Sequence, residues 1–408
     1  MVDVAVTSRQ TLVLRFADVG VATYASLRVV GAPSRTVTWV VEEPTLVAAL
    51  NRLAQALPDP TGTESQRDAV ERAVATGPFA SLSDESEIVA ELGSQLISSA
   101  AWQLLTESAS SPRAALFITP SARLARVPWS ALAAPGDDGF RLIEFVDVLM
   151  AAPPNIANAS RHPVDWHERM DGPPLLVLDP RVPGQRPDSP LGSVLGRPSP
   201  ETRLARHFGE LMQRRTVLPP AATAVELFRR GDAGRAWLAG QLALAPSRML
   251  YVGHATAADG DVGHADRAAL HLADDRPLTA SDLMSAGLRF PPRVALVACA
   301  SGGDYQFDEA TGLVAAFILG GAQLVTATLW SLPTTAGYRQ FAPYSVETAA
   351  DPMAEAIVAV DAAHEEPHAG GAVNRWQRAQ MRRWRDGDAT ASPLYWAALV
   401  TFAVDGAR

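Results

Sequence analysis

His254 and Cys299 are the side chains in this sequence whose types and settings suit nucleophilic chemistry. RMLYVGH closes on His254 and RVALVAC closes on Cys299, the only cysteine in 408 residues. The thiolate, not the thiol, attacks a carbonyl, so a cysteine nucleophile needs a base within reach. Imidazole titrates near neutral pH and suits that task. Small residues follow the cysteine (Ala300, Ser301, Gly302, Gly303) and leave room for a substrate carbonyl. A backbone N–H at such a strand exit supplies a donor for the developing oxyanion. Taken alone, a free cysteine is more often a small apolar filler. The histidine at the preceding strand end moves the reading toward chemistry.

These two residues need a frame that brings strand ends together. From about residue 172, apolar runs alternate with helical stretches: LLVLDP, RTVLPP, RMLYVGH, RVALVA, LVTATLW and YWAALVTFAV are the strand candidates. That rhythm predicts an α/β fold with a doubly wound, mostly parallel six-stranded sheet flanked by helices. In such sheets, sites form beyond the carboxyl ends of the strands. The first 40 residues alternate like strands, and helices are expected near 44–57, 64–76 and 85–107. The expected divisions are an N-terminal α+β extension over 1–85, a middle part over 86–171, and a catalytic domain over 172–408. The segment LARVPWSALAAPGDDGFRLIEFVDVLMAAP predicts short strands joined by an Asp-Asp-Gly turn. The Pro/Gly/Ser-rich stretch RVPGQRPDSPLGSVLGRPSP predicts a mobile loop.

Composition narrows the function classes. There is no lysine, so Schiff-base and P-loop lysine chemistry are excluded. A net charge of −9 opposes nonspecific nucleic-acid binding. One cysteine forms no internal disulfide, and the first ten residues lack a signal-peptide core. A cytoplasmic, soluble protein is the expectation. GLVAAFILGGAQLVTATLW is long enough to span a membrane, but Gly320-Gly321 divides it into a buried helix and a buried strand.

The motifs together resemble the CHAT family of caspase-like (clan CD) cysteine peptidases. YVGHATAADGD is similar to that family's strand-His motif and VALVACASGG to its strand-Cys motif. GLVAAFILGGAQLVTATLWSLPTTA resembles the helix, turn and Leu-Trp strand that follow. ITPSARLARVPWSALAAP and SPLYWAALVTFAVDG are similar to the family's upstream and closing segments. The resemblance covers roughly residues 86 to 405. It implies Cys299 as nucleophile and His254 as general base and acid, acting without a cofactor on a protein or peptide substrate. It also implies backbone N–H groups at Cys299 and at the residue after the histidine as oxyanion donors. That residue is usually glycine in caspase-like relatives and is Ala255 here.

The same resemblance suggests that Leu329, Trp330 and Ser331 pair with an extended substrate backbone; the alternative for Trp330 is core packing. Asp179 is a candidate for the specificity pocket, where a carboxylate would favour Arg or Lys. Asp304 and Asp308 compete for that role, and a turn-capping role competes for Asp179. Regulatory cleavage in bacterial defence or signalling, of a partner encoded nearby, is the setting the family implies. Residues 1–85 are expected to serve as a scaffold or bind a regulatory partner. A catalytically silent scaffold that uses the same groove is the alternative, motivated by Ala255.

Other signals are weaker. HEEPH (364–368) has metallopeptidase spacing, but Pro367 sits inside it and opposes the helix that would align the two histidines. His264 and His271 flank the loop after His254 without ligand spacing, so no metal is expected. NRWQRAQMRRWR carries five arginines and two tryptophans; Trp376 and Trp384 fit an apolar helix stripe better than a nucleic-acid face.

Overall fold

Strands buried on both faces read as unbroken apolar runs, and those around the predicted site do so. RMLYVG and RVALVA are buried at all six positions each. The computed structural model describes residues 9–136, 139–186, 189, 191–256, 265–299, 301–302, 312–342 and 350–408. In chain order the strands are β1 (Thr11–Asp18), β2 (Ala22–Val29), β3 (Ala32–Glu42), β4 (Ala115–Thr119), β5 (Asp147–Ala151), β6 (Leu175–Leu178), β7 (Arg248–Gly253), β8 (Ala255–Thr256), β9 (Ala269–Leu270), β10 (Leu278–Thr279), β11 (Arg293–Ala298), β12 (Leu324–Thr328) and β13 (Leu399–Ala403). Ten of them form one sheet in the order β3-β2-β1-β4-β5-β13-β12-β11-β7-β6, and β8–β10 form a small separate one.

The large sheet is mostly parallel. Six of its nine pairings are parallel (β1·β4, β4·β5, β5·β13, β11·β12, β7·β11, β6·β7). An antiparallel seam lies between β12 and β13. The α/β class therefore holds, but the sheet is wider than six strands. The extension's strands continue it: β1 pairs in parallel with β4, Leu12 opposite Leu116. RTVLPP contributes one bridge, Leu218 to Leu175, rather than a strand. Pro219 and Pro220 lack the N–H groups a ladder needs.

Two further segments differ from expectation. Between Leu124 and Ala151 only β5 is a strand; 3-10 turns and a short helix fill the rest. There the buried Arg141 guanidinium donates to the Ala131 carbonyl and to Glu85, both at 2.9 Å, and knots the chain into turns. The helix expected over 85–107 is two, Leu82–Leu96 and Ser99–Glu107, because Ser98 caps the second by accepting from the Ala101 N–H. No described helix is long and apolar enough to cross a membrane. The apolar stretch 312–330 folds as helix Leu313–Leu319, a turn with Gly321 at φ 114°, and β12.

The strands that lead to the site are pinned at their starts. β7 begins with Arg248, 1% exposed, which pairs with Asp361 of helix Pro352–Ala363 and with Glu365 at 3.1 Å. β11 begins with Arg293, which donates to the carbonyls of His364, Glu366 and Pro367 and lies 3.7 Å over the Trp166 ring. A buried charge tolerates few arrangements, so these contacts favour a single placement of both strands against the helix.

Candidate active site

β7 and β11 are neighbours, and their parallel ladder ends at the pair Ala298–Gly253. The next residue on each chain is Cys299 and His254. Neighbouring strands lie about 4.8 Å apart, so both residues leave the same carboxyl edge side by side. Gly253 lets this exit form: a Cβ there would meet the Tyr251 hydroxyl at 2.8 Å. That hydroxyl donates to the carbonyls of His254 at 2.7 Å and His271 at 2.9 Å, fixing the backbone at the histidine.

The histidine ring is oriented by the loop expected to be mobile. His254 Nε2 lies 3.2 Å from the Gly192 carbonyl oxygen. A carbonyl only accepts, so Nε2 carries the proton and Nδ1 keeps the basic lone pair. Gly192 is itself held, because its carbonyl also accepts from Arg229 at 2.9 Å. The anchor of this arrangement is Asp179, fully buried just after β6. Its carboxylate accepts from the Ser193 hydroxyl at 2.6 Å, the Val194 and Leu195 N–H groups at 3.3 Å and 3.4 Å, and Arg229 at 3.3 Å. Asp179 and Arg229 both adopt left-handed backbone, at φ 52° and 54°.

Four donors occupy the roughly four lone-pair positions a carboxylate offers. Asp179 therefore has nothing left for a substrate cation, and its contacts are those of a residue that holds a loop. Burial lowers the His254 pKa below the ordinary imidazole value. The bond to Gly192 and the Asp179 charge oppose that shift, and Arg229 adds to it.

Cys299 is half-buried, and burial pushes its thiol pKa up. Hydrogen bonds from the Ser331 side chain, its own backbone and the Leu332 backbone pull the other way. The turn after it is tied to the end of β12. The buried Ser301 hydroxyl donates to the Leu296 carbonyl at 2.9 Å and accepts from the Thr328 N–H at 3.2 Å. Gly302 N–H donates to the Thr328 carbonyl at 2.9 Å. Thr328 Oγ1 also donates to the Ala298 carbonyl, one residue before the thiol.

Ala255 lies in β8 opposite Leu270. The cross-strand bond runs from the His271 N–H to the His254 carbonyl at 3.0 Å. That pattern marks Ala255–Leu270 as a non-hydrogen-bonded pair, so the ladder leaves the Ala255 N–H unused. His271 lies alongside, its Nε2 2.6 Å from the Thr256 hydroxyl.

The three residues expected to bind substrate backbone divide. Leu329 is 1% exposed and its N–H already donates to the Ala398 carbonyl. Trp330 is 0% exposed, donates from its indole to the Leu394 carbonyl at 3.0 Å and packs against Phe79. Both side chains are buried in the core. Ser331 alone is half-exposed and reaches the thiol. Asp304, Asp308 and His264 lie outside the described residues. His364 of HEEPH is buried, bonded to Thr326 Oγ1 at 2.8 Å, and held neutral with a pKa of about 3 by burial and the Arg293 and Arg248 charges.

The CHAT domain profile matches residues 86–404. The chain belongs to the CHAT domain family. The match takes in every strand from β4 to β13, the family that the motifs resemble. Two structures of the Saccharomyces cerevisiae separase–securin complex are similar to this CHAT chain at 11% identity, with TM-scores of 0.44 and 0.45. Each alignment covers 97% of this chain and 30% of that one, so the CHAT chain spans under a third of its length. No curated protein matches it.

Sequence reasoning missed Gly192, Arg229 and Tyr251, and read Ser301 only as a small residue after the thiol; all four hold the two chemical residues rather than react. Gly192 had no signal beyond lying in a loop. Tyr251 had one: a polar-tipped ring inside an otherwise aliphatic strand needs a hydrogen-bond partner.

Proposed function

We propose that this CHAT protein is a cysteine endopeptidase that cleaves a specific protein substrate with a His254–Cys299 dyad. The observation that carries the reading is the β7–β11 register, which ends on Gly253 and Ala298 immediately before the two residues. The resting pair is a thiol and a neutral imidazole, given the raised Cys299 pKa and the lowered His254 pKa.

In the reaction, His254 Nδ1 takes the thiol proton as sulfur bonds to the scissile carbonyl carbon. The carbonyl π electrons move to oxygen, and the N–H groups of Ala255 and Cys299 are the donors for that oxyanion. The imidazolium then gives its proton to the leaving amine as the C–N bond breaks, leaving a thioester. Water, deprotonated by the same nitrogen, attacks the thioester and releases the acid and the thiol. Gly192 keeps Nε2 protonated throughout, so one nitrogen does all the proton transfer. Ser331 is the remaining member of the expected substrate-contacting strand.

The second reading is a catalytically silent scaffold that binds its partner through the same groove. The raised Cys299 pKa and the Ala255 methyl favour it. Wild type and Cys299→Ala are incubated with candidate proteins encoded beside the gene, and both are treated with a thiol-directed acyloxymethyl ketone. Cleavage by wild type alone, with labelling lost in His254→Ala, supports the peptidase. Cleavage that persists in Cys299→Ala overturns the nucleophile; binding without cleavage or labelling supports the scaffold.

A further inference from the structure

A cavity of about 1220 Å³ is lined in part by the loop that orients His254. One wall begins at Ser193, next to Gly192, which orients His254; another begins at Thr334, three residues past Ser331. Its lining is unusual for a chain of net charge −9: among the described residues it contains seven arginines and three acids.

The acids are already engaged. Glu355 pairs with Arg383 at 2.5 Å and lies 3.8 Å from Arg203. Asp351 accepts from the Thr335 hydroxyl at 2.6 Å and the Ala354 N–H at 2.9 Å. Glu201 bonds Ser199, and Arg229 faces Asp179. Among the described residues, no carboxylate pairs with Arg181, Arg197, Arg206 or Arg339. Arg181, Arg197 and Arg206 are exposed and line the cavity, the first two from a loop and the third from the helix Arg203–Arg214.

We infer that this cleft receives an acidic stretch of the protein substrate, several Asp or Glu residues long. Its size exceeds the roughly 300–1,000 Å³ of a small-molecule pocket and is far beyond a single anion. Among the described residues no aromatic ring lines it, so those residues offer no platform for stacking a nucleobase. Guanidinium groups match carboxylates well, and the lining includes Ser193, next in sequence to the Gly192 that orients His254. The inference rests on the peptidase reading in taking the ligand to be part of the substrate.

The test is binding, measured in a Cys299→Ala background so that turnover plays no part. Fluorescently labelled octaglutamate, octaglutamine and oligo-dT are titrated by fluorescence anisotropy at low and high salt. The triple variant Arg181→Ser, Arg197→Ser, Arg206→Ser is titrated alongside, its fold checked by thermal melting. Expected is binding of octaglutamate alone, weakened by salt and reduced about tenfold or more in the triple variant, since three charge pairs are lost together. Equal binding of octaglutamine, or no effect of the triple variant, overturns the cleft. Preference for oligo-dT overturns the peptide assignment. Separately, if the otherwise wild-type triple variant keeps full cleavage of the native substrate, the cleft plays no part in selection although the peptidase stands. Octaglutamate binding in a protein that never cleaves leaves the arginine-lined cleft in place and sinks the peptidase.

Discussion

Asp59 accepts a hydrogen bond from the backbone N–H of Ser331 at 3.2 Å, across 272 residues of sequence. Ser331 also reaches the Cys299 thiol, so a residue ahead of the matched CHAT region is two steps from the nucleophile. Asp59 pairs with Arg126 as well, which joins the Pro58–Pro60 turn, the segment after β4 and the exit of β12 at one carboxylate. The N-terminal residues are thus built into the site's frame, both by continuing the sheet and by this contact.

Asp59→Ala is expected to destabilise the fold by about 1–3 kcal/mol, because it leaves a half-buried guanidinium and an N–H without their acceptor. Asp59→Asn keeps an acceptor for Ser331 but loses the charge, and should fall between the two. Urea unfolding checks both; an unchanged midpoint for Asp59→Ala would show the contact to be idle.

Asp179→Ala removes the acceptor shared by Ser193, Val194, Leu195 and Arg229. Breaking a buried charge pair costs about 3–5 kcal/mol. The milder Asp179→Asn should fold and lower kcat, because the loop that orients His254 shifts. A loss near a hundredfold in kcat is expected for a displacement of about 1 Å. A change confined to KM would return Asp179 to the substrate pocket.

How much of this was legible in the sequence follows from what each signal encodes. Apolar runs ending in His254 and Cys299 report burial and a strand end, so the strands and their chemical tips could be read directly. Sheet width could not: β1 alternates as half-buried strands do, and nothing in TLVLRFAD says that its neighbour is ALFIT, about 100 residues on. Trp330 and Leu329 sit one and two residues from the useful Ser331, and only the fold tells which of the three faces the thiol. Asp179 looked like a pocket residue because its position was right; its donors come from residues 193, 194, 195 and 229, which no local pattern links to it.

The acid limb of kcat/KM should fall below pH 6.5. Burial lowers the His254 pKa, so the imidazole stays neutral and basic in solutions that would protonate a free one. Rates on a fluorogenic peptide, measured from pH 4 to 9, read the midpoint. An acid limb at or above 6.5 would contradict a buried base.

His364 supplies a stability dependence that is separate from catalysis. Its pKa is about 3 in the fold against 6.5 for the free group. Between these values the unfolded chain binds a proton that the folded chain does not, so stability is lost as pH falls from 6.5 toward 3. One site contributes at most about 1.4 kcal/mol per pH unit to that slope. His364→Gln should flatten it relative to wild type in denaturant melts at pH 7, 5.5 and 4. Parallel curves for the two proteins would mean that His364 is not the buried neutral base its surroundings describe.

Gly253→Ala tests whether the histidine's backbone is set by packing. The added methyl would come within 2.8 Å of the Tyr251 hydroxyl, 3.0 Å of its ring carbon Cζ and 3.3 Å of the Pro180 ring. Tyr251 is wholly buried within β7 and cannot swing away, so either its ring or the strand must move. Overpacking of this kind costs about 1–3 kcal/mol. Whichever moves, the hydroxyl leaves the carbonyls of His254 and His271, and the base loses its register with Cys299. Tyr251→Phe separates the two effects, since it removes the hydroxyl but adds no bulk. It should leave stability within about 1–2 kcal/mol of wild type and lower kcat, because one net hydrogen bond is of that size. Gly253→Ala should do both, and Gly253→Ala combined with Tyr251→Phe should recover stability, with the hydroxyl clash relieved. If the double variant is no more stable than Gly253→Ala, the crowding lies with the ring carbon, Pro180 and the strand rather than with the hydroxyl.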